Sequence, residues 1–420
     1  MTAAPLRDFP LIYLSYDEPW ADDGFAQVQS VRPDAQRVHG VEGLHAAHLA
    51  AADAAGSPYF LTVDADTALL PGFAEATVPS AYLTPDMQPY WPARNVANGI
   101  ISGNGCIKLW PQALIARMRS HEAAPKGRVS LDSDIPLIEP GVTRLVPMPG
   151  CYAMVDPAKT AFHAFRAGFR ETFFLAWLKQ KFDIRGTGKG IPLAEILGIW
   201  CNLGRQAENG TWLIYGARLG YFAALNWAAF DPRLVNDYSW FNRFWHDHVT
   251  PRIGSGGARC AGSGHRYDSD RLDREIIALG EALTQRGLVP MAELTTEESA
   301  LVLNADLMPI LRTPRELSAL AQAFQDGRGV ARDTASAAAL FGAAVILGDG
   351  AAHFHLAQLA VEASDASQAK LHLRSAVASG SPEAPHHLAT LMQQDGASGP
   401  EIDALLDLAA ERGYAEAEAS

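Results

Sequence analysis

The sequence predicts an α/β domain followed by an all-α helical-repeat domain, and three observations carry that prediction. Between residues 10 and 66, three short apolar runs alternate with two segments of helical character, the pattern of a parallel α/β half-domain. After about residue 312 a period of thirty-two residues appears, which implies paired helices stacked as a solenoid. Charge divides the chain in the same way. Residues 1–260 carry 23 Lys and Arg against 24 Asp and Glu, whereas residues 261–420 carry 11 against 23. So acidic a second half argues against nucleic-acid binding.

Taken in order, Pro10–Tyr16 reads as a strand, followed by the acidic loop 17–23 and a helical pattern on Phe25, Val28 and Val31. Gln36–His39 is a second strand leading to Gly40 and Gly43. Leu44–Ala55 is rich in helix formers and is stopped by Gly56 and Pro58. Tyr59–Val63 is short, β-branched and aromatic, with no polar alternation, so it is expected to be buried on both faces. It stops on Asp64 and Asp66. Ligands of open α/β sheets collect beyond the carboxyl ends of strands, and residues i and i+2 of extended chain share a face. Both carboxylates can therefore address one hard cation, which keeps positions for phosphate oxygens and water. A solvated loop after a core strand is the plainer reading of the same residues.

Further on, Gly99, Gly103 and Gly105 around the strand Cys106–Trp110 permit close backbone approach to a ligand, or equally a bulge or tight turn. Lys108 suits phosphate or plain solvent. Asp132 and Asp134 form a second Asp-x-Asp without a buried strand before it. The segment 160–178 places Phe162, Phe165, Phe169, Phe173 and Trp177 at helical spacing, a core stripe. His163, Arg166 and Arg170 share another face of that helix, with Glu171 at its margin. Residues 186–190, Gly-Thr-Gly-Lys-Gly, lack phosphate-loop spacing and read as a loop. The dense aromatic stretch 238–248 reads as a helix packed on the domain, or as a platform for sugar faces. Its His246 and His248 stand two apart and do not face one another.

The first strand ending in a polar dipeptide, Gly43-x3-Ala47-x3-Ala51 in a helix, and a strand ending Asp64-x-Asp66 together resemble the donor-binding half of GT-A fold glycosyltransferases. The chain is also similar to a bacterial and phage group of glycosyltransferase-like proteins across residues 37–48, 103–111, 165–171, 200–204 and 215–220. The resemblance covers roughly residues 10–225. It implies a GT-A (Rossmann-like, mixed-sheet) domain in which Ser15, Tyr16 and Asp17 line base and ribose. His39 and Gly43 would lie near the nucleotide, and His48 falls where such helices turn a polar side chain to the donor. Asp66 would ligate Mn2+ or Mg2+ directly, Asp64 would hold ribose or metal, and His163 would complete the metal shell. Sugar transfer with inversion needs a carboxylate base and cations that stabilise the departing diphosphate. Glu171 is the expected base and Arg170 the expected cation, against the alternative that the two form an ion pair holding the helix.

The Gly- and Ser-rich stretch 254–264 reads as the border of the first domain. The expected division is 1–253, a linker and helical connector over 254–311, and repeats over 312–420. Residues 348–359 align with 380–391, and 409–415 repeat the join once more. The unit 320–344, through Gly327-x-Gly329-Val and Asp333, resembles Sel-like, tetratricopeptide-related repeats, which implies a protein partner.

No run of about 18 apolar residues reads as a membrane span, and the N-terminus lacks a basic-then-apolar leader, so a cytoplasmic protein is expected. Cys106, Cys151, Cys201 and Cys260 are scattered and suggest buried thiols, neither zinc site nor disulfide. The expected function is metal-dependent transfer of a sugar from a nucleotide-sugar, a uridine diphosphate sugar being the implied donor, to an unknown acceptor, with the repeats recruiting acceptor or partner. The alternative is a non-catalytic adaptor with a degenerate GT-A domain. Nucleotidyl transfer ranks third, because Asp17-Glu-Pro-Trp follows the first strand where a Gly-rich basic loop would be needed.

Overall fold

The computed structural model describes residues 3–117, 144–182, 193–286, 291–304, 314–327, 332–346 and 349–414. The chain divides into two compact units, Met1–Met291 and Ala292–Ser420. The first is mixed α/β and the second is helical.

In the first unit, β1 (Ala3–Pro5) pairs with β6 (Thr77–Pro79) in a two-stranded sheet. The main sheet uses β2 (Leu11–Ser15), β3 (Gln36–His39), β4 (Tyr59–Asp64), β5 (Thr67–Leu69), β7 (Met87–Asn95), β8 (Ile101–Pro111), β9 (Arg144–Pro147) and β10 (Ala153–Val155). Its order is β3-β2-β4-β8-β7-β10-β5, with β9 also on β7. Strands β3, β2 and β4 run parallel, joined through α1 (Ala21–Val31) and α2 (Leu44–Ala55). β8 is antiparallel to both β4 and β7. The register pairs Ser15 with His39 and Leu14 with Asp64, so three strand ends finish side by side.

That alignment follows from burial on both faces. In β2, Leu11 and Tyr13 join a core with Val28 of α1, Val63 and Phe73, while Ile12 and Leu14 face Ala51, Ala52, Phe60 and Trp110. A slip of one residue would exchange the two sets, so the apolar pattern fixes the register. Residues 96–100 form a turn between β7 and β8, closed by Asn95 N–H to Ile100 O at 2.8 Å, with Gly99 at φ 74°. Gly103 and Gly105 fall within β8.

After α3 (Gln112–Ile115), the next described helices are the long α4 (Ala161–Phe182), α5 (Leu193–Asn202) and α6 (Gly210–Asn226). Helices α4 and α6 meet over a glycine seam. A Cβ on Gly216 would overlap the Phe165 carbonyl oxygen, one on Gly220 that of Phe169, and one on Gly168 that of Leu213. Thr172 Oγ1 donates across the seam to Ala217 O at 2.7 Å. Next to it, Arg218 is buried and donates to Cys201 O (2.9 Å), Ile276 O (2.9 Å) and Asn202 Oδ1 (3.3 Å). The segments 165–171, 200–204 and 215–220 thus hold one another.

Helix α7 (Tyr238–Phe244) continues through a π-helical turn, Trp245–Val249, into α8 (Thr250–Ile253). Strands β11 (Ala258–Arg259) and β12 (Arg266–Tyr267) form a small ribbon before α9 (Ser269–Thr284). This helix is tied back by Arg205–Asp273 and Arg252–Glu275 ion pairs, both 2.7 Å, and by Arg218. The stretch 254–264, expected as the domain border, therefore lies inside the first unit.

The second unit begins with α10 (Thr296–Asn304) and continues as α11 (Pro314–Asp326), α12 (Thr334–Ile346), α13 (Ala352–Glu362), α14 (Ala366–Ala378), α15 (Ala384–Gln394) and α16 (Pro400–Glu411). From α11 onward each helix packs on the next. Alternate helices end alike. Backbone bonds spanning five residues close Ala344–Asp349, Ala376–Ser381 and Ala409–Tyr414, and a second series closes Ala360–Asp365 and Met392–Ala397. Such bonds satisfy carbonyls orphaned at a helix C-terminus. Their recurrence every 32 or 33 residues makes a helix pair the repeating unit. No helix among the described residues is long and apolar enough to cross a membrane.

Candidate functional site

The strand-end crevice is built by three elements: the carboxyl ends of β2, β3 and β4, the loop 16–20, and the first half of α4. Trp20 and Tyr13 pin the acidic strand end, since Trp20 Nε1 (3.1 Å) and Tyr13 Oη (3.2 Å) both donate to Ala65 O, the carbonyl between the two aspartates. Asp64 and Asp66 are both partly buried. Thr67 Oγ1 donates to Asp66 Oδ1 at 3.4 Å, and Asp66 O accepts from Asp156 N–H at 2.9 Å. Burial, then the neighbouring charge of Asp64, then that of Glu18 push the Asp66 carboxyl up to about 7, partly offset by its hydrogen bonds. Asp66 keeps an accessible edge, so it is a carboxylate hemmed in by protein and like charge rather than sealed off. Like charges held together in this way favour a proton or a cation between them.

A cavity of about 210 Å³ opens at the adjoining ends of β2 and β3, lined by Asp17, Glu18, Pro19, Ala21, Asp22, Arg37 and His39. Arg37 organises it. Its Nε donates to Ser15 Oγ (2.9 Å), its Nη1 to Asp22 Oδ1 (2.6 Å), and its Nη2 lies 3.0 Å from His39 Nδ1. A guanidinium only donates, so His39 Nδ1 accepts and the ring proton sits on Nε2. Ser15 Oγ, 2.9 Å from the same nitrogen, then donates its O–H to His39 Nδ1. Tyr16 is exposed, with its N–H bonded to Glu18 Oε2 at 2.7 Å. Gly43 caps α2 at φ 94°. Ser15, Asp17 and His39 come together here, and Tyr16 stands at the margin.

Helix α4 closes the other side. His163 Nδ1 lies 2.7 Å from Thr160 Oγ1, and its ring packs edge-on against Trp20 at 4.8 Å. Burial and the charge of Arg166 push its imidazole down to about 4, against the opposing pull of Asp17, so it is neutral at ordinary pH. One turn on, the Arg166 guanidinium stacks over Tyr238, 3.8 Å from the ring centroid. Other rings of this stretch pack inward: Phe241 and Phe244 of α7 and Trp245 of the π-helical turn sit against Phe165 and Phe169.

Two expectations are corrected, those for His48 and His163. His48 is buried, its Nδ1 bonded to Leu44 O (2.8 Å) and its ring edge-on to Trp110 (4.9 Å); it belongs to the core beneath the sheet. Arg170 Nε donates to Asn236 Oδ1 (3.2 Å) in the turn Pro232–Asn236. Among the described residues no three His, Cys, Asp or Glu side chains stand close enough to hold a metal ion, so His163 does not complete a three-residue set with Asp64 and Asp66. Glu171 is half-buried on α4, near enough for its charge to act on Arg166. Asp132, Asp134 and residues 186–190 lie outside the described residues.

Sequence reading missed Glu18, Trp20 and Arg37 as parts of the site. A signal was present: Arg37 and His39 stand two apart on a short strand and so share a face, and Trp20 is the one aromatic residue in an acidic loop.

No known family model matches this chain, and no curated protein sequence matches it significantly. Among solved structures it is similar to c5321, a protective antigen present in uropathogenic Escherichia coli strains displaying an SLR fold, at 16% identity and a TM-score of 0.24. The match covers 62% of this chain and 64% of that one.

Proposed function

We propose that the first unit is a GT-A-like, metal-dependent glycosyltransferase that uses a nucleotide-diphosphate sugar, with a uridine diphosphate sugar as donor, and that the helical pairs of the second unit are Sel-like repeats that engage a protein partner or the acceptor. The observation that carries the reading is the pair Asp64 and Asp66 at the end of a buried parallel strand, beside a cavity at the two neighbouring strand ends. Two carboxylates fit a hard cation that takes its other ligands from phosphate oxygens and water. Such a cation supplies charge neutralisation to a departing diphosphate. The chain's own residues would do the rest. Ser15, Asp17, Arg37 and His39 would line the nucleoside end, with the Nε2–H of His39 as a donor, and Glu171 would accept the proton of the acceptor hydroxyl.

The test is calorimetric titration of nucleoside diphosphates and nucleotide-sugars, with and without manganese, into the whole protein and an Asp66→Ala variant. Metal-dependent binding of one nucleotide, lost in the variant, is the expected result. A folded protein that binds none of the panel would sink the transferase reading and leave the repeat-bearing adaptor.

A further inference from the structure

The helices of the second unit bring two imidazoles together, nitrogen to nitrogen. His353, in the first turn of α13, and His372, in the middle of α14, hold their Nδ1 atoms 3.1 Å apart. The contact is set by the packing of the two helices. A Cβ on Gly350, just ahead of α13, would overlap the hydroxyl of Ser379. Ser379 is the C-cap of α14, two turns beyond His372 and on the same face. The neighbouring imidazoles pack on rings instead, His355 stacked on Phe341 at 4.7 Å and His387 edge-on to Phe354 at 5.1 Å.

Two neutral imidazoles that meet through ring nitrogens oppose two lone pairs unless one nitrogen carries a proton. A metal ion is the other species that satisfies both. Nitrogens bound to zinc at about 2.0–2.1 Å in tetrahedral geometry lie about 3.3 Å apart, close to the spacing these helices impose. Burial, joined for His353 by the charge of His372, holds both rings below the usual imidazole range, and the neutral ring is the form that ligates a metal. Both side chains keep an accessible edge. The carboxylates nearest in the sequence are engaged elsewhere: Asp349 accepts from Ser318 Oγ, Asp365 from Gln368 N–H, and Asp395 is paired with Lys370. Among the described residues no third His, Cys, Asp or Glu joins the pair.

We propose that His353 and His372 form a binding site for a divalent transition-metal ion of the class of Zn2+, Ni2+ or Cu2+, which ties α13 to α14. Imidazole suits ions of this class, whereas carboxylates suit Mg2+ and Mn2+. The site is thus chemically different from the strand-end pair Asp64 and Asp66, and it does not depend on the transferase reading. One ligand comes from each helix, and water takes the remaining positions.

The test is calorimetric titration of zinc chloride into the full chain carrying Asp66→Ala, so that the strand-end carboxylates do not compete. One zinc ion per chain should bind. Added to that parent, His353→Gln and His372→Gln should each weaken binding at least tenfold, whereas His387→Gln, at an exposed imidazole of the next helix pair, should change it less than twofold. Binding should also weaken from about pH 7 to about pH 5, because a protonated ring does not ligate. The proposal is overturned if the parent binds no zinc, if binding is as tight at the lower pH, if the folded Gln variants bind as the parent does, or if His387→Gln weakens binding equally. Should neither Gln variant fold, copper(II) bound to the parent decides: electron spin-echo modulation from two imidazoles supports the pair, and modulation from fewer overturns it. Zinc held by the pair in a protein that refuses every nucleotide would leave this site standing and sink the transferase reading.

Discussion

Asp66 and His163 have opposite preferences for the proton. Asp66 titrates near 7 in the folded chain and near 4 when unfolded, so the folded state binds more protons in between. The stability this contributes is fully present below about pH 4 and is lost as pH rises through 7. His163 titrates near 4 when folded and near 6.5 when unfolded, so its contribution is present above about 6.5 and is lost as pH falls toward 4. Because the two slopes oppose, single variants must separate them. Asp66→Asn should raise stability at pH 8 by on the order of 1–3 kcal/mol relative to its effect at pH 4, read from urea unfolding at both values. It should at the same time abolish metal-dependent nucleotide binding, because an amide is a poor ligand for a hard cation. A stabilising change that removes binding would mark the residue as one held for function. His48→Ala should do the reverse. It empties a packed site against Trp110 and should cost about 2–4 kcal/mol with nucleotide affinity unchanged, checked by melting and titration of the same preparation.

At the scale of elements, the informative contact is between α4 and α6. The segments 165–171 and 215–220 carried part of the glycosyltransferase resemblance, and the structure gives them a mechanical role. Gly168, Gly216 and Gly220 let two backbones approach within carbonyl contact, which no side chain would allow. Gly216→Ala should therefore force the helices apart and cost about 1–3 kcal/mol, measured by denaturant midpoint. Since α4 carries His163 and Glu171, the same variant should weaken metal-dependent nucleotide binding although it touches no ligand, through displacement of the helix. The aromatic stripe of α4 was legible from its spacing, and Phe165, Phe169 and Phe173 are indeed buried. The difference between Arg166 and Arg170 was not legible. Both lie on one face of the helix, and it is Tyr238 and Asn236, more than sixty residues away in sequence, that give them different surroundings.

For the whole molecule, the two compact units lead us to expect two separable unfolding transitions. A fragment of residues 1–291 should fold and keep the wild-type nucleotide affinity, whereas one ending at residue 253 should not. The shorter fragment lacks α9, and with it the partners of Arg205, Arg252 and Arg218. Circular dichroism and titration of the two fragments check this. The change of composition at 254–264 pointed to a border because Gly and Ser usually mark linkers. Here they mark the small ribbon of β11 and β12, whose turn brings the chain back onto α6 through α9.

By itself the sequence determined what depends on near neighbours. It specified the three parallel strands and two helices of residues 10–66, the acidic end of β4, and the thirty-two-residue period whose helix ends recur in the backbone hydrogen bonds. Those features rest on periodicity and local chemistry, which any window of the chain carries. Only the tertiary structure decided which polar side chains reach the crevice. It sent His48 into the core, drew Arg37 and Trp20 to the strand ends, and set Arg166 over Tyr238. Each of these outcomes turns on a partner distant in sequence, since the burial and hydrogen bonding of a polar group depend on what the fold brings to meet it.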